Sequence, residues 1–110
     1  MLHPLPPDEP ALLARMARGD APALQALYDL YAKPLYSYAF QVLGSRQDAE
    51  EVLQDAFTKI WQKSPTYDSQ RSAPYTWCMM LLRGLCLDRV RKNGRQQRNR
   101  IVLEESGQWS

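Results

Sequence analysis

Apolar residues recur at intervals of three and four along most of this chain, the spacing that lays them on one side of an α-helix. The clearest case is Ala49, Val52, Leu53, Ala56, Phe57, Ile60 and Trp61, a stripe that predicts a helix from about Ser45 to Lys63. Ser45 followed three residues later by Asp48 resembles a capping box with Asp in place of Glu. Upstream, Asp8 is placed to cap a short helix, Glu9 to Arg18, with Leu12, Leu13 and Met16 on one face and Gly19 as its stop. Asp20 caps the next, where Leu24, Leu27, Tyr28 and Tyr31 form the stripe. Pro34 suits the first turn of a further helix, Leu35 to Leu43, ended by Gly44.

Ser64 to Ser72 breaks the pattern and reads as the longest internal loop. Ser72 is placed to cap a last helix that tolerates Pro74 in its first turn and runs to about Lys92. Between 77 and 87 its only charge is Arg83, so it is expected to be the central element of the core. No strand alternation, repeat or heptad is present. The fold class is therefore all-α, a compact bundle of four to five helices. Residues 1–7, with Pro4, Pro6 and Pro7, read as a disordered leader, 8–93 as one domain, and 94–110 as a polar linker or tail. A domain of this size buries roughly 60–65% of its unfolded surface, which implies modest stability.

Charge changes the picture more than composition does. The net charge is only +2, but residues 1–63 carry six basic and eight acidic groups, whereas 64–110 carry eight basic and four acidic. Between 83 and 100 the basic residues Arg83, Arg89, Arg91, Lys92, Arg95, Arg98 and Arg100 face Asp88 alone. Such a run is either a solvated tail or a surface for a polyanion. On the predicted 45–63 helix, Asp48, Glu51 and Asp55 follow i, i+3, i+7 spacing, with Gln54 beside them. That line is either a solvated face or a docking face for a basic partner. Around the loop, Tyr67, Arg71, Tyr75 and Trp77 combine aromatic and cationic groups, as single-strand binders do. Trp77 faces the apolar run and reads as core, whereas Tyr67 and Tyr75 fit either role. Arg83, inside an apolar helix, must be paired or lie on an outward strip.

Nothing in the chain is arranged for catalysis. The carboxylates have no accompanying nucleophile or metal-ligand set, so no enzyme activity, cofactor or metal is expected. Cys78 and Cys86 lie two helical turns apart, about 12 Å, too far for a disulfide. They read as small buried hydrophobes in a reducing cytoplasm. The lone histidine, His3, is in the leader. The apolar run 77–87 is too short to span a bilayer, so no membrane association is expected.

Two segments together resemble region 2 of a bacterial sigma factor, of the extracytoplasmic-function (ECF) group. LQALYDLYAKPLYSYAFQVLGSRQDAEEVLQDAFTKIWQK resembles the first half of that region. YDSQRSAPYTWCMMLLRGLCLDRVRK, in order and at the right spacing, resembles the second. The resemblance covers roughly residues 10–95. It implies a domain that binds core RNA polymerase on the clamp helices of the β′ subunit and recognises and melts the promoter −10 element by capturing a base of the non-template strand.

Carried over by position, the resemblance gives polymerase contacts at Glu51, Gln54 and Asp55, with Asp48 and Phe57 adjacent. The base-capturing loop maps to Ser64–Ser72, including Tyr67 and Asp68. The helix that holds the unwound strand maps to Arg71, Tyr75, Thr76, Arg83 and Gly84, and the upstream duplex phosphates fall to Arg91, Lys92 and Arg95. An anti-sigma factor is a further expected partner. The chain departs from the family at Gly84, where Asn is usual, and at Pro74, where an aromatic is common. Those departures keep open a degenerate sigma-like module that binds protein but does not melt DNA. Family members also carry a second, helix-turn-helix domain. The 110 residues leave no room for it, so an excised or truncated single domain is expected, with 94–110 the start of a linker.

Overall fold

Among the described residues the elements are four α-helices, α1 (Glu9–Ala17), α2 (Ala21–Leu43), α3 (Arg46–Lys63) and α4 (Pro74–Gln108), with one 3-10 turn at Ser64–Thr66. This is a computed structural model that describes residues 8–108, with side chains from 8 to 104. The expected leader, 1–7, lies outside the described residues. Local signals place most helix ends. The Asp8 carboxylate accepts the Ala11 N–H at 3.2 Å, Asp20 accepts that of Ala23 at 3.4 Å, and the Ser45 hydroxyl accepts that of Asp48 at 3.2 Å. Each satisfies one of the orphan donors of a helix N-terminus. Gly44 closes α2 in the left-handed region, φ 65°, a conformation that costs a residue with a Cβ.

Three expected helix boundaries differ from those in the fold. No helix begins at Pro34; α2 runs straight through it. The proline removes one backbone donor and strains the turn before it, a cost of about 3 kcal/mol in a helix interior. Burial on both sides outweighs this, because Ala23, Leu27, Tyr31, Leu35 and Ala39 form one unbroken buried row at four-residue spacing. At α4, Pro74 is the first helical residue, and the first backbone bond runs from Trp77 N–H to the Ala73 carbonyl, so Ala73 and not Ser72 occupies the cap position. The helix also does not stop near Lys92. It continues to Gln108 through Gly94, since one glycine costs only about 1 kcal/mol and no proline follows.

The core is a single cluster fed by all four helices. α1 contributes Leu12, Leu13 and Met16, α3 contributes Ala49, Val52, Leu53, Ala56, Phe57 and Ile60, and α4 contributes Cys78, Leu82 and Cys86. α4 is not the central element that its apolar run suggested. Met80 is 57% and Leu87 50% exposed, and Leu87 shares a cleft with Tyr38 and Val42 of α2. Both cysteines are free and buried, and burial pushes the Cys78 thiol up to about 12. A part-buried hydrogen bond from the Tyr31 hydroxyl to the Glu9 carboxylate fastens α1 onto α2. Burial holds the Tyr31 phenol well above its ordinary value. No helix among the described residues is long and apolar enough to cross a membrane.

Candidate protein and nucleic-acid interfaces

The acidic line on α3 divides into groups used internally and groups that face solvent. Arg89 Nη1 donates to Asp48 Oδ1 at 2.8 Å and to Glu51 Oε2 at 2.9 Å, and Asn93 Nδ2 donates to Asp48 Oδ2 at 3.1 Å. Both oxygens of Asp48 are thus committed to α4, and its side chain is only 25% exposed. Asp48 holds two helices together. Glu51 is half exposed and also accepts from Gln47 Nε2 at 3.3 Å. The Arg89 hydrogen bond, helped by Gln47, holds the Glu51 carboxyl below its usual range, and the same pair pushes Arg89 up. Gln54 and Asp55 are exposed, and among the described residues no ion pair engages Asp55.

Phe57 lies where its place in the apolar stripe of α3 put it, on the buried side, and not on the surface beside the polymerase contacts. It is 6% exposed and packs on Tyr28, ring centroids 4.9 Å apart. It forms the floor of an open groove of about 640 Å³ between α2 and α3. Leu24, Leu53 and Trp61 continue the apolar wall, and Glu50, Gln54 and Thr58 form the polar rim. Phe57 therefore belongs to the core and touches the exterior only through this groove. Gln54 links the groove to the acidic line.

The loop before α4 is built by its own residues. The Asp68 carboxylate accepts the Gln70 N–H at 2.9 Å, and its carbonyl accepts from Arg71 at 3.0 Å, an Asx-type turn. The Tyr67 hydroxyl donates to the Ser72 carbonyl at 2.8 Å, and its ring meets Trp77 edge-on at 5.2 Å. Burial raises the Tyr67 phenol. Tyr67 and Asp68 thus shape the loop, and Trp77 backs it, half-buried against the core. Arg71, Tyr75 and Thr76 are exposed around it, with Tyr75 edge-on to Tyr31 at 5.2 Å.

One solvent-facing strip follows along α4. Thr76, Met80, Arg83, Gly84, Leu87, Arg91 and Arg95 are all exposed and recur at intervals of three and four on the side opposite the buried Cys78, Leu82 and Cys86. Exposed apolar groups alternate here with arginines. At Gly84 an added Cβ would meet nothing within 4 Å, so the glycine is not a close-packing site. Lys92 leaves the strip. It lines a small cleft with Asp55 and Val52, on the α3 side of the helix. The strip therefore joins Arg83, Gly84, Arg91 and Arg95 but not Lys92.

Two positions that tie α4 to α3 carry no motif of their own in the sequence: Arg89 is one cation of the basic run, and Asn93 is a lone amide after it. A signal existed. Residues 82, 86, 89 and 93 continue the buried row of α4, and a cation on such a row requires a partner. Among the described residues no group of three His, Cys, Asp or Glu side chains is placed to hold a metal ion.

Comparison with known proteins accords with this geometry. The model of the family described as sigma-70 region 2 matches residues 27–96. The ECF RNA polymerase sigma factor SigK of Mycobacterium ulcerans is 30% identical over 81 residues, 74% of this chain and 43% of the relative. SigW of Bacillus subtilis, also an ECF RNA polymerase sigma factor, is 28% identical over 80 residues, 73% and 42%. SigL of Mycobacterium tuberculosis H37Rv, a third, is 27% identical over 81 residues, 74% and 46%. The chain spans less than half the length of these relatives. With the family match running from α2 across the loop into the exposed strip of α4, this chain belongs to the sigma-70 region 2 family as an ECF-type region 2 domain.

Proposed function

We propose that this domain acts in transcription initiation, binding core RNA polymerase through α3 and the adjoining groove and binding the melted −10 element through the loop and the outer strip of α4. The observation that carries the reading is the division of labour between two packed helices. α3 offers exposed carboxylates beside an apolar groove, a fit for a basic amphipathic helix pair such as the β′ clamp helices. α4 offers arginines interleaved with apolar groups, a fit for an unstacked strand. Glu51, Gln54 and Asp55 are the direct docking groups. Asp48 supports them from behind, and Phe57 supports them as the groove floor.

DNA recognition would begin at the loop. A base leaving the stack loses stacking energy, and a shaped pocket offsets that loss. Tyr67, Asp68 and Trp77 hold the loop in one conformation, which lowers the entropy lost on capture. Arg71, Arg83 and Tyr75 lie nearby for phosphate and ring contacts. An anti-sigma factor that covers the groove and the strip would block both steps. No cofactor enters this scheme.

The test is a titration of core RNA polymerase with Asp55→Arg. Binding is expected to weaken at least tenfold, about 1.4 kcal/mol, with an unchanged circular dichroism spectrum. Unaltered affinity would remove α3 as the docking surface. A second reading, a sigma-like module that binds protein but does not melt DNA, draws on Gly84, which leaves the strip bare where the family carries an amide. A gel shift with −10 single strand, alone and with core enzyme, separates the two.

A further inference from the structure

A cleft of about 290 Å³ lies between the C-terminal half of α2 and the middle of α4. Tyr38 and Val42 form its α2 wall, and Arg83, Gly84, Leu87 and Val90 form its α4 wall. Val42, Leu87 and Val90 are exposed, whereas Tyr38 is half-buried. The ring of Tyr38 is free. Tyr28, Tyr31, Tyr36, Tyr67 and Tyr75 each lie against another ring, but among the described residues no ring meets that of Tyr38.

No side chain grows from position 84, and a Cβ there would meet nothing within 4 Å, so the α4 wall is open beside Arg83. Arg83 is the only charged group that lines the cleft among the described residues. The groove between α2 and α3 is different, because Glu50 stands on its rim. Of the two hollows that α2 borders, one is edged by acid and the other by a cation. An apolar cleft with a free ring and a cation suits a planar group carried on an anion. An unpaired nucleobase on its phosphate backbone is such a group. The volume is at the small end of ligand-sized cavities, with room for one base.

We propose that this cleft seats a second unpaired base of the single strand, stacked on Tyr38 and packed against Val42 and Leu87, with Arg83 on the neighbouring phosphate. This rests on the reading of α4 as the DNA-facing helix. Arg83, Gly84 and Leu87 belong both to the cleft and to the outer strip, so the two surfaces are continuous. Tyr75, beside the loop, and Gly84 are nine residues apart on α4, about 14 Å by helical rise. A stacked strand advances about 3.4 Å per nucleotide, so the base in the cleft is roughly four nucleotides from the one that the loop captures. Tyr38 thus brings α2 into strand recognition. Gly84 leaves the mouth clear, and an amide at that position would stand beside the edge of the base.

The experiment deletes bases one at a time. The probe is a fluorescent single strand of about ten nucleotides, within the site sizes of single-strand binders, selected by the parent chain from a random pool. Each abasic version lacks one base and keeps every phosphate. Binding to the full 110-residue chain is read by fluorescence anisotropy. Two sensitive positions are expected, one for the loop and one for the cleft. Tyr38→Leu keeps apolar bulk but removes the ring. It should weaken binding to the intact strand about fivefold or more, the lower end of base–aromatic stacking. It should also abolish the loss at one abasic position and leave the loss at the other, since variant and deletion then remove the same contact. Tyr38→Phe keeps the ring and should bind as the parent does. Leu87→Ser, at an exposed site on the opposite wall, should blunt the same abasic position. Tyr36→Leu, which removes a ring stacked on Phe40 outside the cleft, should leave the whole scan unchanged.

Unaltered affinity in Tyr38→Leu and Leu87→Ser, or a loss that falls equally on every abasic strand, would overturn the proposal. Should Tyr38→Leu fail to fold in a melting curve, Leu87→Ser decides alone. One sensitive position, unmoved by either variant, would leave the cleft without a base and the −10 reading standing. Failure of the parent chain to select or bind any single strand would end both.

Discussion

Arg89 and Asp48, 41 positions apart in sequence, meet at 2.8 Å and join the basic end of α4 to the acidic start of α3. The Arg89 side chain is only 15% exposed. The two charged surfaces of the domain are therefore mechanically continuous, and part of each is neutralised by the other. Arg89→Met should destabilise the fold by about 1–2 kcal/mol, the scale for leaving a partly buried charged acceptor without its donor. Urea denaturation checks this. No change in midpoint would mean that water replaces the pair at no cost.

The same contact predicts an acid response. The Arg89 hydrogen bond lowers the Glu51 carboxyl below its ordinary value of 4.5. A depressed carboxyl adds stability that is fully present above its unfolded value and is lost as pH falls through the folded one. The difference in melting temperature between the parent and Arg89→Met should therefore hold at neutral pH and shrink below about 4.5. Asp20, lowered mainly by its bond to Arg15, titrates alike in both proteins and cancels. A difference that stays constant down to pH 3 would contradict the linkage.

Phe57→Ala should cost about 3 kcal/mol, because it empties a buried site against Tyr28. A surface docking residue would cost almost nothing. Thermal unfolding distinguishes these, and it should precede any polymerase-binding measurement on this variant, since lost folding would imitate lost docking.

Gly84→Asn should raise stability by a few tenths of a kcal/mol, since Asn has the better helix propensity and an added Cβ meets nothing within 4 Å. On the proposed function it should also tighten −10 single-strand binding by adding an amide to the strip. A melting curve and an anisotropy titration on the same protein test both parts. A loss beyond about 2 kcal/mol would place Gly84 in a packed contact instead.

Much of this protein was legible along the chain. The caps at Asp8, Asp20 and Ser45, the stop at Gly44, the buried stripe of α3 and the all-α class depend on residues within a turn or two of one another. Local hydrogen bonds and helical periodicity are written at that range. The exposed strip through Arg83 and Gly84 was reachable the same way. What depends on helices crossing was not. Whether Pro34 interrupts α2 was decided by how much Leu27, Tyr31 and Leu35 bury against other elements. That Phe57, in the buried stripe, also floors a groove depended on Tyr28, 29 positions earlier, packing on its ring. Lys92 turned toward Asp55 and away from the strip by its azimuth on a helix packed against α3. Arg89 and Asn93 found Asp48 across more than forty residues. Periodicity gives the side of a helix on which a residue lies. Only the packed arrangement decides what stands opposite, because a charge or a ring takes its role from the partner that excludes water from it.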